Sequence, residues 1–492
     1  MQSKANQISA ISNKRASIHI VVLFIAYVIF SLIVAGPGML HFEMYTRLPA
    51  HISGKPILQI IFDAKSMNLG GWEARQLSFL FDVIDGNFVA FCIRHGFPHF
   101  RSLTHYVFTL ILILYLWLFF TRTLRLDRWL SHLLIALMLT TPSFIYSFYY
   151  RTSKIGVTLL VIILSGEIYK LIKGELYLDI KIQKPTWLAL IFLLATLSLM
   201  LFDVLGGFFA TALIAYLFLA LVYKPDRSKS AALAGMIAGY TIWVLYFLYW
   251  GPAITLAITG QKADVSYLNS APFQYFPGFL FITMPSFIAD MLRYLFGYVP
   301  QAGGAIFVVW LAISIWLVRP KKKTSAILPR TATTCSKKAG QKILFTLRSF
   351  FSRYEPALTL LFILASIAII YALLATRHAP ILWPDVRPTY YIMPAQAVLL
   401  LSLATFLARA RIKWMFKSPP KYYITLAILI FFLVGNIIGS IRIKSFLFSG
   451  QNTKLFPHGA TLIDSLVHVN SPNFKPDKKI AEDPIYQLFS NQ

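Results

Sequence analysis

Acids are scarce in this chain, and several stand where they could act on a substrate. Glu43 follows an apolar run in MLHFEMYTRL, and Asp63 comes soon after. Glu73, Arg75, Asp82 and Asp85 lie among large apolar residues in GWEARQLSFLFDVIDGNF. Asp203 sits in FDVLGG inside an apolar block, and Arg151 opens YYRTSKIGV. Arg377, His378, Asp385, Arg387 and Tyr391 gather ahead of a further apolar run. Carboxylates are common acceptors of protons from attacking hydroxyls, and a guanidinium fork matches the oxygens of phosphates and carboxylates. Proton transfer and anion binding are the chemistries these residue types offer. Cys92 and Cys335 are the two cysteines, and no Cys/His cluster has metal-type spacing, so neither a disulfide framework, a metal site nor a cofactor is expected.

The acids of the second stretch are ordered. At about 100° per residue, Arg75, Ser78, Asp82 and Asp85 fall within about 80° of one another, with Trp72, Leu77, Phe79, Leu80, Phe81, Val83, Ile84 and Phe88 on the remaining arc. The pattern predicts an amphipathic helix lying on the membrane surface, its apolar side against lipid or the spanning helices. Its polar stripe fits either a solvated face with an Arg75–Asp82 pair one heptad apart or the lining of a substrate groove. Glu73 suits the start of such a helix, where the helix dipole favours a carboxylate.

What must position these residues is a set of membrane helices. The 492 residues are 57% hydrophobic and 13% charged, against roughly 25% charged in soluble domains. Apolar runs long enough to cross a bilayer fall near 18–40, 103–120, 129–149, 155–172, 187–202, 205–223, 231–250, 303–318, 356–376, 389–408 and 423–441, about eleven in all. The first run is longer than the apolar core of a signal peptide and reads as an anchor. An N-inside arrangement puts more than half of the 46 Lys and Arg residues into alternate loops that make up about a fifth of the chain. The net charge of +27 then has a topological cause and calls for no nucleic-acid partner. Residues 1–441 form one all-α polytopic membrane domain, with long outer loops at 41–102 and 251–302, a basic cytoplasmic linker at 319–353 along anionic lipids, and an outer tail at 442–492. Basic loops at both ends of 187–223 require the chain to turn at FDVLGG, which brings Asp203 to the outer side.

The order of these features resembles the GT-C superfamily of integral-membrane glycosyltransferases, and is similar to relatives of the O-mannosyltransferase type. A first span is followed at once by an acid, Glu43, then by WEARQLSFLFDVID, then by GFPHFRSLTHYVFTLIL leading into the second span. Arg75, Leu77 and Ser78 match an aromatic-Arg-Pro-Leu-Thr/Ser motif in which Gln76 replaces the proline. YYRTSKIGVTLLVIIL, LMLFDVLGGFFATALIAYL and DVRPTYYIMPAQAVLLLSLATFL fit later segments of the pattern, with Asp203 standing for the usual Glu. One departure is that Glu43 stands alone where many members carry an acidic pair.

The resemblance implies a GT-C-like fold and an inverting transfer of sugar from a polyprenyl-phosphate carrier to a glycan, lipid or protein acceptor at the outer face. Glu43 is then the candidate general base, with Asp63, Asp82 and Asp85 as alternatives; Glu43 also suits an acid that ends an interfacial helix. Arg387, one helical turn before Tyr391, would meet the lipid phosphate with Arg377 and His378 nearby, though ordinary interfacial polarity accounts for the group as well. Arg151 is either a second phosphate contact or a side chain that snorkels to the surface. Arg75, Asp82, Asp85 and Asp203 would line or shape the groove. The competing readings are a transporter of lipid-linked sugars, whose intramembrane charges should line a path, and a non-catalytic subunit of a glycan-assembly complex. No outer-side Asn lies in a glycosylation sequon, which points to a bacterial inner membrane.

Overall fold

The structure is a computed structural model that describes residues 2–35, 42–63, 72, 74–97, 103–141, 144–145, 153–173, 185–204, 206–223, 225–263, most of 393–408, 419–448 and parts of 462–490; side chains are described from Ser17 onward, apart from those of residues 35, 42–46, 153, 223, 419, 421 and 442–448. These residues are helical, with no strand among them. In chain order the helices are α1 (Gln2–Ala35), α2 (Phe42–His51), α3 (Ile57–Phe62), α4 (Gln76–Arg94), α5 (Leu103–Leu118), α6 (Arg128–Leu139), α7 (Ser153–Lys173), α8 (Pro185–Phe202), α9 (Gly206–Tyr223), α10 (Arg227–Leu245), α11 (Gly251–Thr259), α12 (Pro419–Phe448), α13 (Lys478–Ala481) and α14 (Pro484–Ser490).

Seven helical stretches among the described residues are long and apolar enough to cross a bilayer: Ser17–Val34, Gln76–Arg94, Leu103–Thr123, Lys154–Lys173, Pro185–Phe202, Arg227–Thr259 and Tyr422–Ile441. The chain is an α-helical membrane protein. Six of the seven coincide with expected spans. The seventh is α4, read from the sequence as a surface helix. Expected spans at 129–149, 205–223 and 389–408 correspond to shorter apolar helices, Arg128–Leu139, Gly206–Val222 and Gln396–Ala408, while 303–318 and 356–376 lie outside the described residues, as does the 319–353 linker.

Polar side chains finish what the apolar runs begin. Asp127 caps α6 by accepting from the Leu130 N–H, and its other carboxylate oxygen takes the Tyr422 hydroxyl of α12. At the far end of α6 the carbonyls of Leu137 and Thr140, which a helix terminus leaves without intrahelical partners, accept from Asn436 and Ser440 of α12. That pairing lets a twelve-residue helix stop within the bundle. α8 and α10 approach closely because Gly235 and Gly239 face the carbonyls of Ala189 and Leu193; a Cβ on Gly239 would lie 2.6 Å from the Leu193 oxygen.

α10 passes through a π-helical turn, Tyr246–Trp250, into α11. In the turn's i→i−5 register the Gly251 N–H bonds the Tyr246 carbonyl. The next donor in that register belongs to Pro252, which has no N–H, so the Phe247 carbonyl is left open. Trp72 fills the gap, its indole N–H donating to the Phe247 oxygen at 3.0 Å. Gly251 makes room for the indole.

Candidate functional site

Of the charged side chains singled out in the sequence, Arg75, Asp82, Asp85 and Asp203 come together at one end of the bundle, where α5 and α7 begin and α8 turns into α9. α8 ends at Phe202 and α9 starts at Gly206, with the Gly206 N–H closing the turn on the Asp203 carbonyl. The turn falls where the basic loops require it, and it carries Asp203 into the protein: its side chain is fully buried. Lys154, in the first turn of α7, meets Asp203 at 2.5 Å, and Arg75 approaches the same carboxylate oxygen at 3.9 Å.

Arg75 is the N-cap residue of α4, and Ala74 before it is held at φ +47°, a conformation unusual for alanine. Ala74 is fully buried and Trp72 is anchored on α10, so packing on both sides holds the strained residue in place. The outcome is an arginine aimed at Asp203.

α4 turns its polar stripe inward. Ser78, Asp82 and Asp85 are at most 2% exposed, while Ile84 and Phe91 face outward. The solvated-face reading gives way to an interior one. Asp82 meets Arg47 of α2 at 3.6 Å, with both side chains nearly inaccessible. Arg75 therefore engages the α8–α9 turn and Asp82 engages α2, where the sequence suggested a pair between them. Asp85 accepts from both the backbone N–H and the hydroxyl of Thr104, at 2.9 and 2.7 Å, and so ties the middle of α4 to the start of α5. Ring contacts of Phe81 with Phe108 and Phe202 close the apolar side of the same junction. The contacts that fix α4 lie at this end of the bundle, which suits a helix set across the end even though its length would allow a crossing.

α2 and α3 flank α4 on different sides. α2 brings Arg47 to the stripe and packs His51 against Gly86, where a Cβ would lie 2.5 Å from the imidazole Nδ1. α3 brings Ile60 and Ile61 to Phe79 and Val83, about a quarter turn from the stripe. Asp63 ends α3, half-buried. Glu43 lies in the first turn of α2, four residues before Arg47 and eight before His51, so the three share one face of that helix by register. The structure describes the Glu43 backbone and not its side chain. Arg151, Arg377, His378, Arg387 and Tyr391 lie outside the described residues.

Burial, and then the neighbouring Arg47 guanidinium, push the His51 imidazole down to about 3, so it is neutral across the physiological range. Among the described residues no three His, Cys, Asp or Glu side chains are grouped to hold a metal ion.

Compared with protein-family models, with curated proteins and with solved structures, the chain matches none.

Arg47, Lys154, His51 and Thr104 were not among the residues marked in the sequence. A signal for the first two was present. Acids in apolar surroundings need cations, and Arg47 follows Glu43 by one helical turn, while Lys154 lies one turn from the highlighted Arg151 at the start of a span. His51 and Thr104 carried no such mark, since each acquires its place only from the packing of α2 and α5 on α4.

Proposed function

We propose that this protein is an integral-membrane glycosyltransferase that moves a sugar from a polyprenyl-phosphate carrier to a glycan, lipid or protein acceptor at one face of the membrane. The acceptor hydroxyl oxygen bonds to the anomeric carbon, the bond from that carbon to the phosphate oxygen breaks with its electrons, and Glu43 takes the hydroxyl proton. Arg387 contacts the departing lipid phosphate, with Arg377, His378, Tyr391 and Arg151 as further contacts. Arg75, Asp82, Asp85 and Asp203 hold the wall of the groove. The proposed location is a bacterial inner membrane with the site facing outward.

One observation carries the choice of surface chemistry over transport. The buried ion pairs of Arg47, Asp82, Arg75, Lys154 and Asp203 sit at a single end of the bundle, and one of them, Arg47–Asp82, is made by α2, the helix that carries Glu43. Along α7 no charged residue stands between Lys154 and Glu167, and Glu167 is engaged by Lys170 and Tyr115. A carrier of charged head groups needs charged or strongly polar groups spaced along a path, and between Lys154 and Glu167 α7 offers only Thr158, whose hydroxyl bonds the Lys154 carbonyl, and Ser165. The order of motifs shared with GT-C enzymes supports the same reading.

The test is an assay of purified protein in detergent and in vesicles, given polyprenyl-phosphate-linked sugars with glycan and lipid acceptors. Acceptor-dependent release of polyprenyl phosphate is expected. Passage of the intact sugar-lipid between leaflets without cleavage would replace the transferase with a flippase.

A further inference from the structure

The contacts between α2 and α4 define a register. Arg47 meets Asp82 and His51 packs against Gly86, so both pairs differ by the same number of residues and the two helices run parallel. The Asn87 amide, which donates to the His51 carbonyl, keeps the same direction. Carried back by one turn, the register sets residue 43 opposite residue 78. Ser78 is one turn before Asp82 on the stripe that faces α2, it is fully buried, and its hydroxyl has no hydrogen-bond partner among the described residues. Buried hydroxyls are mostly bonded, and what sets Ser78 apart from the unbonded Thr109, Ser165 and Thr196 is its place at the head of a polar seam.

We propose that the head of the α2–α4 seam is the subsite for the acceptor, in which Ser78 bonds a hydroxyl of the acceptor sugar or lipid and holds it toward Glu43. The proposal rests on the transferase reading. It adds a substrate-contacting residue and the chemical class of the group bound there, a neutral hydroxyl. The positions fit that class: Ser78 offers one donor and two acceptor sites without a charge, while the next turn along the seam is already taken by the Arg47–Asp82 pair. An anion would find its cations one turn away in either direction, at Arg75 and Arg47, each directed at an aspartate.

Two measurements test it. The first is cysteine cross-linking of the full chain in membranes, in a background of C92A and C335S. E43C/S78C should form a disulfide under mild oxidation, as should the R47C/D82C pair, and E43C/D82C should not, since disulfides require Cα atoms within about 7 Å. Failure of E43C/S78C alongside success of R47C/D82C overturns the register and the subsite while leaving the transferase reading intact. The second is steady-state transfer by S78A and S78T. S78A should raise KM for the acceptor by roughly three- to tenfold, the loss of one neutral hydrogen bond, leaving KM for the polyprenyl-phosphate donor unchanged. S78T, which keeps the hydroxyl, should recover most of the loss. A folded S78A protein with the parent's acceptor KM overturns the subsite. A parent protein that transfers no sugar removes the transferase reading and the subsite with it, and the cross-link then reports on helix register alone.

Discussion

Lys154 and Asp203 make a pair whose members cannot be removed singly without cost. Taking the charge from Asp203 leaves the buried Lys154 ammonium facing Arg75 without the carboxylate between them. D203N should therefore destabilise the protein by about 3–5 kcal/mol, read as a lower unfolding temperature in detergent, and K154M/D203L should recover part of it because the deeply buried Lys154 charge is removed with its partner, while the partly exposed Arg75 remains. Equal stability of D203N and the parent would mean that water reaches the pair. Glu43 calls for a different test. E43Q keeps shape and hydrogen bonding but loses basicity, so turnover should fall by roughly 10² to 10⁴ while donor binding survives; transfer at the parent rate would move the base to Asp63 or to the Asp82 and Asp85 stripe. His51 adds a pH dependence. Its imidazole titrates near 3 in the folded protein and at about 6.5 when unfolded. Between those values the unfolded chain binds the extra proton, so stability falls as pH drops below about 6.5, by at most about 1.4 kcal/mol per pH unit from this residue. H51F should flatten that slope in thermal melts taken from pH 7 to pH 4, and an unchanged slope would place the cause elsewhere.

Among the elements, six of the expected spans were legible because an apolar run of bilayer length has one stable use, and the helical wheel grouped Ser78, Asp82 and Asp85 on one side of α4 as the structure does. What the wheel could not give was the partner of each charge. It fixes angles between residues on one helix, and Asp82 finds Arg47 while Arg75 finds Asp203 across long stretches of chain. With those cations supplied from inside, the stripe turns away from water. Nor did composition reveal that α8 and α10 would pack backbone to backbone, although GMIAG, with two glycines one turn apart, was there to be read. G239L puts a side chain where the Leu193 carbonyl stands, and should separate the two helices and lower the yield of folded protein; the same change at Gly260, where a Cβ meets nothing within 4 Å but φ is +69°, should disturb only the end of α11. Equal yields of the two variants would show that the close approach of α8 and α10 is dispensable.

The whole molecule places its last helices beside its first loop. Ile480, Ile485, Tyr486 and Phe489 join Leu48, Val89, Ala90, Cys92 and Ile93 in one apolar cluster, and Arg94 lies over the Phe489 ring. With the N-terminus inside, this end of the bundle faces outward. A cysteine introduced at position 460 of intact cells should then react with an impermeant thiol reagent and one at position 330 should not; the reverse pattern would put Glu43 on the cytoplasmic side and end the carrier-lipid mechanism. The same cluster has a consequence for biogenesis. α2 and α4 leave the ribosome early, but the surface that covers Leu48, Val89 and Ile93 is made only after every intervening helix has been inserted. The paired α2 and α4 must wait with these apolar side chains uncovered through most of synthesis. Chains that stop before residue 478 should insert normally yet remain open to protease between α2 and α4, since the apolar cover of Leu48, Val89 and Ile93 is then missing.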